Sequence, residues 1–327
     1  MYRFFATILC FAPFLLKAQV ASYNQYSAAL AGINPAYIAC VDRDQLSMIF
    51  RDQWPGYKQQ SLLGEFSVNR FSTRFSSSIG LFGSYKNFNQ ESSDIKNAGL
   101  QYGYRVYFLN SVFLNFGLGV TASEMNVDIN NVHYTYDPKA SYTYVPGPII
   151  QNRALRLSYG LIIQEESNGF YGGISVRDHA VYTMLDGIDA ITVEQNPTLS
   201  LQGMYRVPIT RKALFFAFGS YEKTGKLTTT NLGKETVLQP SFHYMFLQGN
   251  FYHSQLGSFG IGYKAYFGNY GSTHLRYSLV LGPGGFFTLG YSHDAKPYIQ
   301  YDRIRLKTSH EVSIKIKLLA IKTKKGR

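Results

Sequence analysis

Apolar and polar residues alternate along most of this chain, in about fourteen segments separated by turn signals. One segment alternates Leu114, Phe116, Leu118 and Val120 with Asn115, Gly117, Gly119 and Thr121. A period of two residues places successive side chains on opposite faces of a β-strand. The segments are roughly ten residues long, as a tilted membrane-spanning strand requires, whereas ordinary strands average about five or six. The pattern therefore predicts an all-β fold, namely a transmembrane antiparallel β-barrel of about 14 strands, within a range of about 12–16.

The composition supports a barrel and argues against several other classes of protein. Only 16% of the 327 residues are charged, whereas 45% are hydrophobic and 16% aromatic, which excludes a disordered chain. Beyond the first residues there is no run of about 18 apolar residues, as a membrane-spanning helix would need. In a closed barrel the apolar face meets lipid and the glycine-rich polar face lines the lumen. A soluble β-sandwich or β-propeller stays the alternative, although no repeat of about 40–50 residues is evident.

The first 18 residues predict a cleaved secretory signal peptide. Arg3 supplies a positive charge, residues 4–16 form an apolar run, and Ala18 is a small residue suited to cleavage. Cleavage would lower the net charge from +12 to +10 and would leave Cys40 as the single cysteine. We therefore expect an exported protein without an internal disulfide.

The remaining chain is predicted to contain three parts and two long loops. Residues 19–43 would form a periplasmic or plug segment, residues 44–319 the outer-membrane barrel, and residues 320–327 a basic tail. The loops are predicted over residues 125–151 and 178–196, because the extracellular connections of barrels are the long ones.

The basic tail admits two interpretations. It would be a solvated periplasmic end or an electrostatic docking site for an acidic partner or anionic surface. Its charged residues are Lys322, Lys324, Lys325 and Arg327. Binding to nucleic acid is not expected, because the chain is predicted to be exported and no recognition helix is evident.

Enzyme signatures are absent from the sequence. It contains no Gly-x-Ser-x-Gly, His-Glu-x-x-His or Cys-x-x-Cys motif, and its seven histidines are scattered singly. We therefore predict a protein that is not an enzyme, with no catalytic residues, no metal site and no cofactor.

The motifs after the signal peptide, taken in order, resemble the start of the PorP/SprF family of Bacteroidetes outer-membrane proteins. They are Tyr23-Asn24-Gln25-Tyr26, Ile33-Asn34-Pro35-Ala36-Tyr37 and Arg51-Asp52-Gln53-Trp54-Pro55-Gly56, followed later by Phe170-Tyr171-Gly172-Gly173 and Ser309-His310-Glu311-Val312. The resemblance implies an outer-membrane barrel of the type IX secretion system in a Gram-negative, Bacteroidetes-like bacterium. It also implies a role in the export or surface attachment of secreted proteins or adhesins, which in some relatives is linked to gliding.

The resemblance and the predicted barrel imply the partners, and the motif residues themselves form the candidate site. The partners would be the outer-membrane lipid bilayer, periplasmic ring components of the secretion system, and a secreted adhesin with a C-terminal sorting domain. The candidate docking or plug residues are Tyr23, Gln25, Tyr26, Asn34, Pro35, Tyr37, Arg51, Gln53 and Trp54.

Pro35 fixes its own φ angle and restricts Asn34 to extended conformations, so this pair is expected to begin a turn. The turn would pack into or across the periplasmic mouth, either as a brace for the barrel or as a docking surface. The alternative function is a passive diffusion channel or small-solute transporter, although about 14 strands make a smaller barrel than the 16–18-stranded open porins.

Overall fold

The computed structural model of the protein describes most of the predicted barrel. The described residues are 26–41, 44–53, 61–72, 75–88, 93–109, 111–128, 149–165, 169–186, 191–225, 227–231, 234–239, 243–267, 273–282, 287–295 and 309–317. Four groups of predicted features lie outside them: the signal peptide, Tyr23 with Gln25, Trp54, and the basic tail. Within these ranges, no helix is both long enough and apolar enough to cross a membrane.

Fourteen of the described strands form a closed antiparallel barrel, which confirms the predicted fold class and strand number. Their bounds are β1 Gln45–Gln53, β2 Ser61–Ser72, β3 Ser77–Phe88, β4 Ser93–Leu109, β5 Val112–Asp128, β6 Ile149–Glu165, β7 Tyr171–Asp186, β9 Thr198–Pro208, β10 Ala213–Lys223, β13 His243–His253, β14 Gly257–Phe267, β15 Thr273–Leu281, β16 Phe287–Asp294 and β17 Ser309–Lys317. Closure comes from the first and last strands, which pair from Gln45↔Lys317 to Gln53↔Ser309.

Three further strands and two short helices complete the described elements. The strands are β8 Ile191–Gln195, β11 Leu227–Asn231 and β12 Lys234–Gln239, which form a small sheet in the order β12-β11-β8. The helices α1, Tyr26–Ile33, and α2, Tyr37–Cys40, precede β1.

The two ends of the barrel differ in the length of their connections. We call the end at which β1 begins and β17 ends the short-turn end, because β4 and β5 are joined there by residues 110–111, and β13 and β14 by residues 254–256. The opposite, long-loop end carries the 20-residue connection 129–148 and the small sheet. Transmembrane barrels have this asymmetry, with short periplasmic turns and longer extracellular loops.

The two faces of the wall have the predicted chemistry. Outward side chains are mostly large, apolar and exposed, such as Leu100 at 58% and Ile261 at 49%, whereas inward positions include many buried polar residues. On β4, β5 and β6 the outward apolar band ends at a row of charges towards the long-loop end. There Glu124 lies 3.8 Å from the Lys96 Nζ atom and 3.5 Å from the Arg153 Nε atom. Ionised groups avoid hydrocarbon, so this polar row marks one boundary of the membrane.

The prediction of a loop over residues 178–196 is wrong for most of that range. β7 continues to Asp186, and β8 occupies Ile191–Gln195. The alternation is hidden because β7 is bulged against β6, so that Val181 and Tyr182 are both exposed although they are neighbours. The loop predicted over residues 125–151 is likewise shorter, because β5 ends at Asp128 and β6 begins at Ile149.

Candidate functional site in the barrel lumen

The two short helices lie inside the barrel. We call residues 26–41 the plug segment; it consists of α1, the turn Asn34-Pro35-Ala36 and α2. Leu30 and Ile33 of α1 belong to a buried apolar cluster that includes Ile49, Phe218 and Phe246 from the barrel wall. Because these wall residues come from different sides of the barrel, the plug segment fills the space between them.

A row of small residues crosses five neighbouring strands on the lumen side. Register aligns the members in one line, because each is the cross-strand partner of the next. They are Ser78, Gly103, Gly117, Gly160 and Ser175, and we call them the small-residue row. Since three of the five have no side chain, the row leaves a shallow trough along the inner wall, nearer the short-turn end.

The plug segment lies in this trough. A Cβ atom added at Gly117 would overlap the backbone of Pro35 and Ala36, and one added at Gly160 would overlap the Asn34 side chain. At Gly103 it would lie 2.8 Å from the Ile38 side chain. Each of these glycines is therefore required by close approach of another backbone or side chain.

The Asn34-Pro35-Ala36 turn uses the chemistry of each of its residues. Asn34 is fully buried; its Oδ1 atom accepts a 3.0 Å hydrogen bond from the Ala36 backbone N–H, and its Nδ2 group donates a 3.3 Å bond to the Ile174 carbonyl. In such an Asx turn, the side-chain oxygen takes the place of the backbone carbonyl that would accept the hydrogen bond in an ordinary turn. Pro35 has no N–H that would need a partner, and Ala36 is small enough to lie on Gly117.

Wall side chains donate to the last carbonyl groups of α1. The Gln101 amide donates to the Ala31 carbonyl at 3.0 Å, and the Ser175 hydroxyl donates to the Ile33 carbonyl at 2.7 Å. Arg177 donates to the Gly32 carbonyl at 3.2 Å and is held by Glu222 at 2.8 Å. The final carbonyls of a helix have no partner within the helix, so these donors complete the C-terminus of α1.

The end of α2 is completed in the same manner. The Ser78 hydroxyl donates to the Ile38 carbonyl at 2.7 Å, and Arg105 donates to the Ala39 carbonyl. Both helices thus end against an arginine, and a cation is favoured there because the C-terminus of a helix carries partial negative charge. The barrel wall therefore fixes the position and the ends of both helices.

Tyr37 anchors the second helix in an apolar and aromatic environment. Its ring packs edge to face on Tyr171, with ring centroids 6.4 Å apart, and the Tyr171 hydroxyl donates to Gln202 at 2.8 Å. Burial raises the pKa of the Tyr37 hydroxyl from 10.0 to about 12, so this side chain is neutral at physiological pH.

A cluster of charges occupies the opposite wall of the lumen. Arg276 donates to Asp294 at 2.7 Å and stacks on the Phe246 ring, with its guanidinium carbon 4.2 Å from the ring centroid. Arg51 lies 3.5 Å from Asp294 and 3.8 Å from Glu311. Arg276 and Glu311 are each 0% exposed although they line the lumen. The interior is therefore filled at this level.

The predicted site residues are only partly brought together. Asn34, Pro35 and Tyr37 lie in the plug segment, whereas Arg51 belongs to the charge cluster on the opposite wall. Tyr26 begins α1 and Gln53 ends β1, and their side chains are not among those described.

The sequence did not single out the wall residues that hold the plug segment. Gly103, Gly117 and Gly160 were on the predicted polar faces, but their alignment depends on strand register. The cavity between Pro35 and the wall residues above it, which include Gln101 and Arg177, has a volume of about 30 Å³. Among the described residues, no group of three His, Cys, Asp or Glu side chains could hold a metal ion.

Solved structures share this fold at low sequence identity. A FadL homologue from Pseudomonas aeruginosa has a TM-score of 0.52 and 9% identity, over 89% of this chain and 94% of that one. CymD, a monoaromatic hydrocarbon channel, has a TM-score of 0.54 and 11% identity, over 92% of this chain and 95% of that one. Among curated proteins, no sequence relative matches.

The family comparison covers nearly the whole chain. A family described as the type IX secretion system membrane protein PorP/SprF matches residues 15–316. This span includes the plug segment and nearly all of the barrel, which agrees with the resemblance seen in the motifs. The chain therefore belongs to the PorP/SprF family of type IX secretion system membrane proteins, which are located in the outer membrane.

Proposed function

We propose that this protein is a plugged, non-enzymatic scaffold that aids the export or surface attachment of secreted proteins by the type IX system. Its contribution would be to bind and position partners rather than to conduct solutes. The short-turn end would face the periplasmic ring components, and the long-loop end would face a secreted adhesin. The chain carries no phosphate-binding loop, so the energy for export would come from its partners.

The filled lumen is the observation that supports this proposal best. Five wall residues donate hydrogen bonds to plug carbonyls, and the opposite wall presents charges that are buried to 0–3%. Water-filled porins need an open lumen, and barrels with more strands provide it. A closed interior is better suited to a protein that acts through its exposed ends.

Co-purification from detergent-extracted outer membranes tests the docking role. We would compare wild type, the plug variant N34A/Y37A, and the tail variant K322A/K324A/K325A/R327A. The control is Leu256→Ala, which changes an exposed residue, 76% accessible, at the same end of the barrel.

We expect periplasmic ring components to accompany wild type and L256A and to be reduced at least severalfold in one of the docking variants. Heat-modifiable migration on gels would show that each barrel is folded. If every folded variant retains its partners at the wild-type level, the docking role is contradicted and these residues only brace the barrel.

A small-solute channel is the second candidate function, and the shared fold with CymD, a monoaromatic hydrocarbon channel, favours it. It would require the plug segment to move or to leave a path beside it. Conductance of the purified protein separates the two functions, since a steady open-channel current would support transport.

A further inference from the structure

The pairing between β7 and β9 stops partway along β7, and towards the long-loop end the two strands separate. The two strands pair from Tyr171↔Met204 to Arg177↔Thr198. Beyond Arg177, β7 continues to Asp186 and pairs with β6. On the other side the chain before Thr198 forms β8, which pairs with β11. Among the described strands, none pairs with the remaining edge of β7 or of β8; we call these two edges the seam.

Two residues at the base of the seam explain why the strands separate there. Asp178, which directly follows the last paired residue of β7, has a φ angle of 62°. This left-handed conformation is disfavoured for residues other than glycine and turns the strand away from its former path. On the other side, Pro197 precedes Thr198 and has no N–H for a ladder hydrogen bond.

The register nevertheless matches across the seam. If the β7–β9 pairing is continued one residue at a time on each strand, Val181 meets Glu194 and Tyr182 meets Val193. β8 would keep β11 on its other edge, so closing the seam breaks no existing pairing.

The edge of β7 lacks the features that normally protect an unpaired strand. Residues 179–185 contain no Lys, Arg, Asp or Glu, and Val181 and Tyr182 are 58% and 63% exposed. Natural edge strands are usually protected by charges or proline. Arg153 of the polar row pairs with Met184, so the seam below Met184 lies in the apolar band, where unpaired backbone groups are costly.

We propose that the seam between β7 and β8 is reversible, alternating between the parted arrangement and a zipped hairpin that continues the β7–β9 ladder. In the zipped form the wall is continuous up to the polar row. In the parted form the β7–β9 ladder ends at Arg177, and Arg177 and Asp178 line the small cavity beside Gly32 and Pro35. This property of the wall does not depend on the proposed secretion role.

Disulfide trapping in the full-length protein tests the zipped form directly. In a C40A background, V181C/E194C and Y182C/V193C place cysteines at positions that are cross-strand partners in the zipped register and are not paired with each other in the parted one. The control is V193C/T229C, which joins residues that are already paired. With a mild oxidant in native membranes, we expect the control and at least one seam pair to cross-link. Cross-linking of the control without either seam pair would overturn the proposal.

The hinge is tested by two substitutions that remove the same carboxylate. Asp178→Gly removes the conformational cost of the parted form, whereas Asp178→Ala retains it and so favours the zipped form. We expect the seam pair that cross-links in the first experiment to do so about tenfold less readily in the D178G background than in the D178A background. This factor follows from the usual cost of a left-handed residue other than glycine. Equal cross-linking in the two backgrounds would contradict a hinge at this residue.

Discussion

Ala36 lies directly on the bare backbone of Gly117, so closely that a methyl group at Gly117 would overlap the Ala36 nitrogen. This contact joins the motif after the signal peptide to the middle of the small-residue row. The next inward residue of β5, Gly119, differs, since a Cβ atom there would lie 3.6 Å from its nearest neighbours. The barrel thus needs glycine at one position for the plug segment but not at the next.

The first prediction is that Gly117→Ala weakens the seating of the plug segment. Forcing an added carbon against backbone costs about 1–3 kcal/mol in packed interiors. We expect the free energy of unfolding, measured by urea titration in lipid vesicles, to fall by that amount. Gly119→Ala should leave it within about 0.5 kcal/mol of wild type. Equal losses in the two variants would contradict the contact.

The second prediction concerns the fully buried amide of Asn34. Asn34→Ala removes the acceptor for the Ala36 N–H and the donor to the Ile174 carbonyl, and each unsatisfied group costs about 1–3 kcal/mol. We expect faster maleimide labelling of Cys40, because the plug segment would open more often. Asn97→Ala is the matched control, since that amide bonds to Ser84 at 2.9 Å within the wall. The interpretation fails if N34A and N97A are labelled at the same rate.

The third prediction concerns Arg177, which bridges the plug segment and the wall. Arg177→Met removes the 3.2 Å bond to the Gly32 carbonyl and leaves the Glu222 carboxylate, 3% exposed, without the guanidinium at 2.8 Å. Removing one partner of a buried pair typically costs about 3–5 kcal/mol. We expect the double variant R177M/E222Q to be less destabilised than R177M alone. Additive losses would show that the two residues act independently.

The fourth prediction is a loss of stability at alkaline pH that depends on Tyr37. Its folded pKa is raised from 10.0 to about 12, so between these values the unfolded chain has released a proton that the folded protein retains. The stability contribution is complete below pH 10 and falls as pH rises, by about 1.4 kcal/mol per unit at most. The free energy of unfolding of wild type should therefore fall relative to that of Tyr37→Phe between about pH 10 and about pH 12. A constant difference would contradict the burial of this hydroxyl.

The sequence predicted the barrel well because each strand carries its own signal. Alternation with a period of two distinguishes lipid-facing from lumen-facing residues, and it needs no knowledge of the partner strand. The end of β7 was missed because it does not carry this signal: the left-handed residue Asp178 interrupts the period of two. A sequence pattern fails where the backbone departs from regular geometry.

Of the candidate site, the sequence predicted the residues of the plug segment but not the wall residues that hold it. The turn at Asn34-Pro35 follows from local chemistry, so its residues could be named from the motif. The row formed by Ser78, Gly103 and Gly117 could not, because it exists only once strand register aligns residues distant in the chain. Register is set by the summed packing of the whole wall rather than by any single segment.

Single-channel recording in planar bilayers tests the central claim that the plug segment closes the lumen. The experiment compares purified wild type with Gly117→Val, in which the added side chain cannot coexist with Ala36 in its place. We expect no steady current from wild type and measurable openings from G117V. Heat-modifiable migration on gels would show that both proteins are folded. A steady open-channel current from the wild-type protein would contradict it.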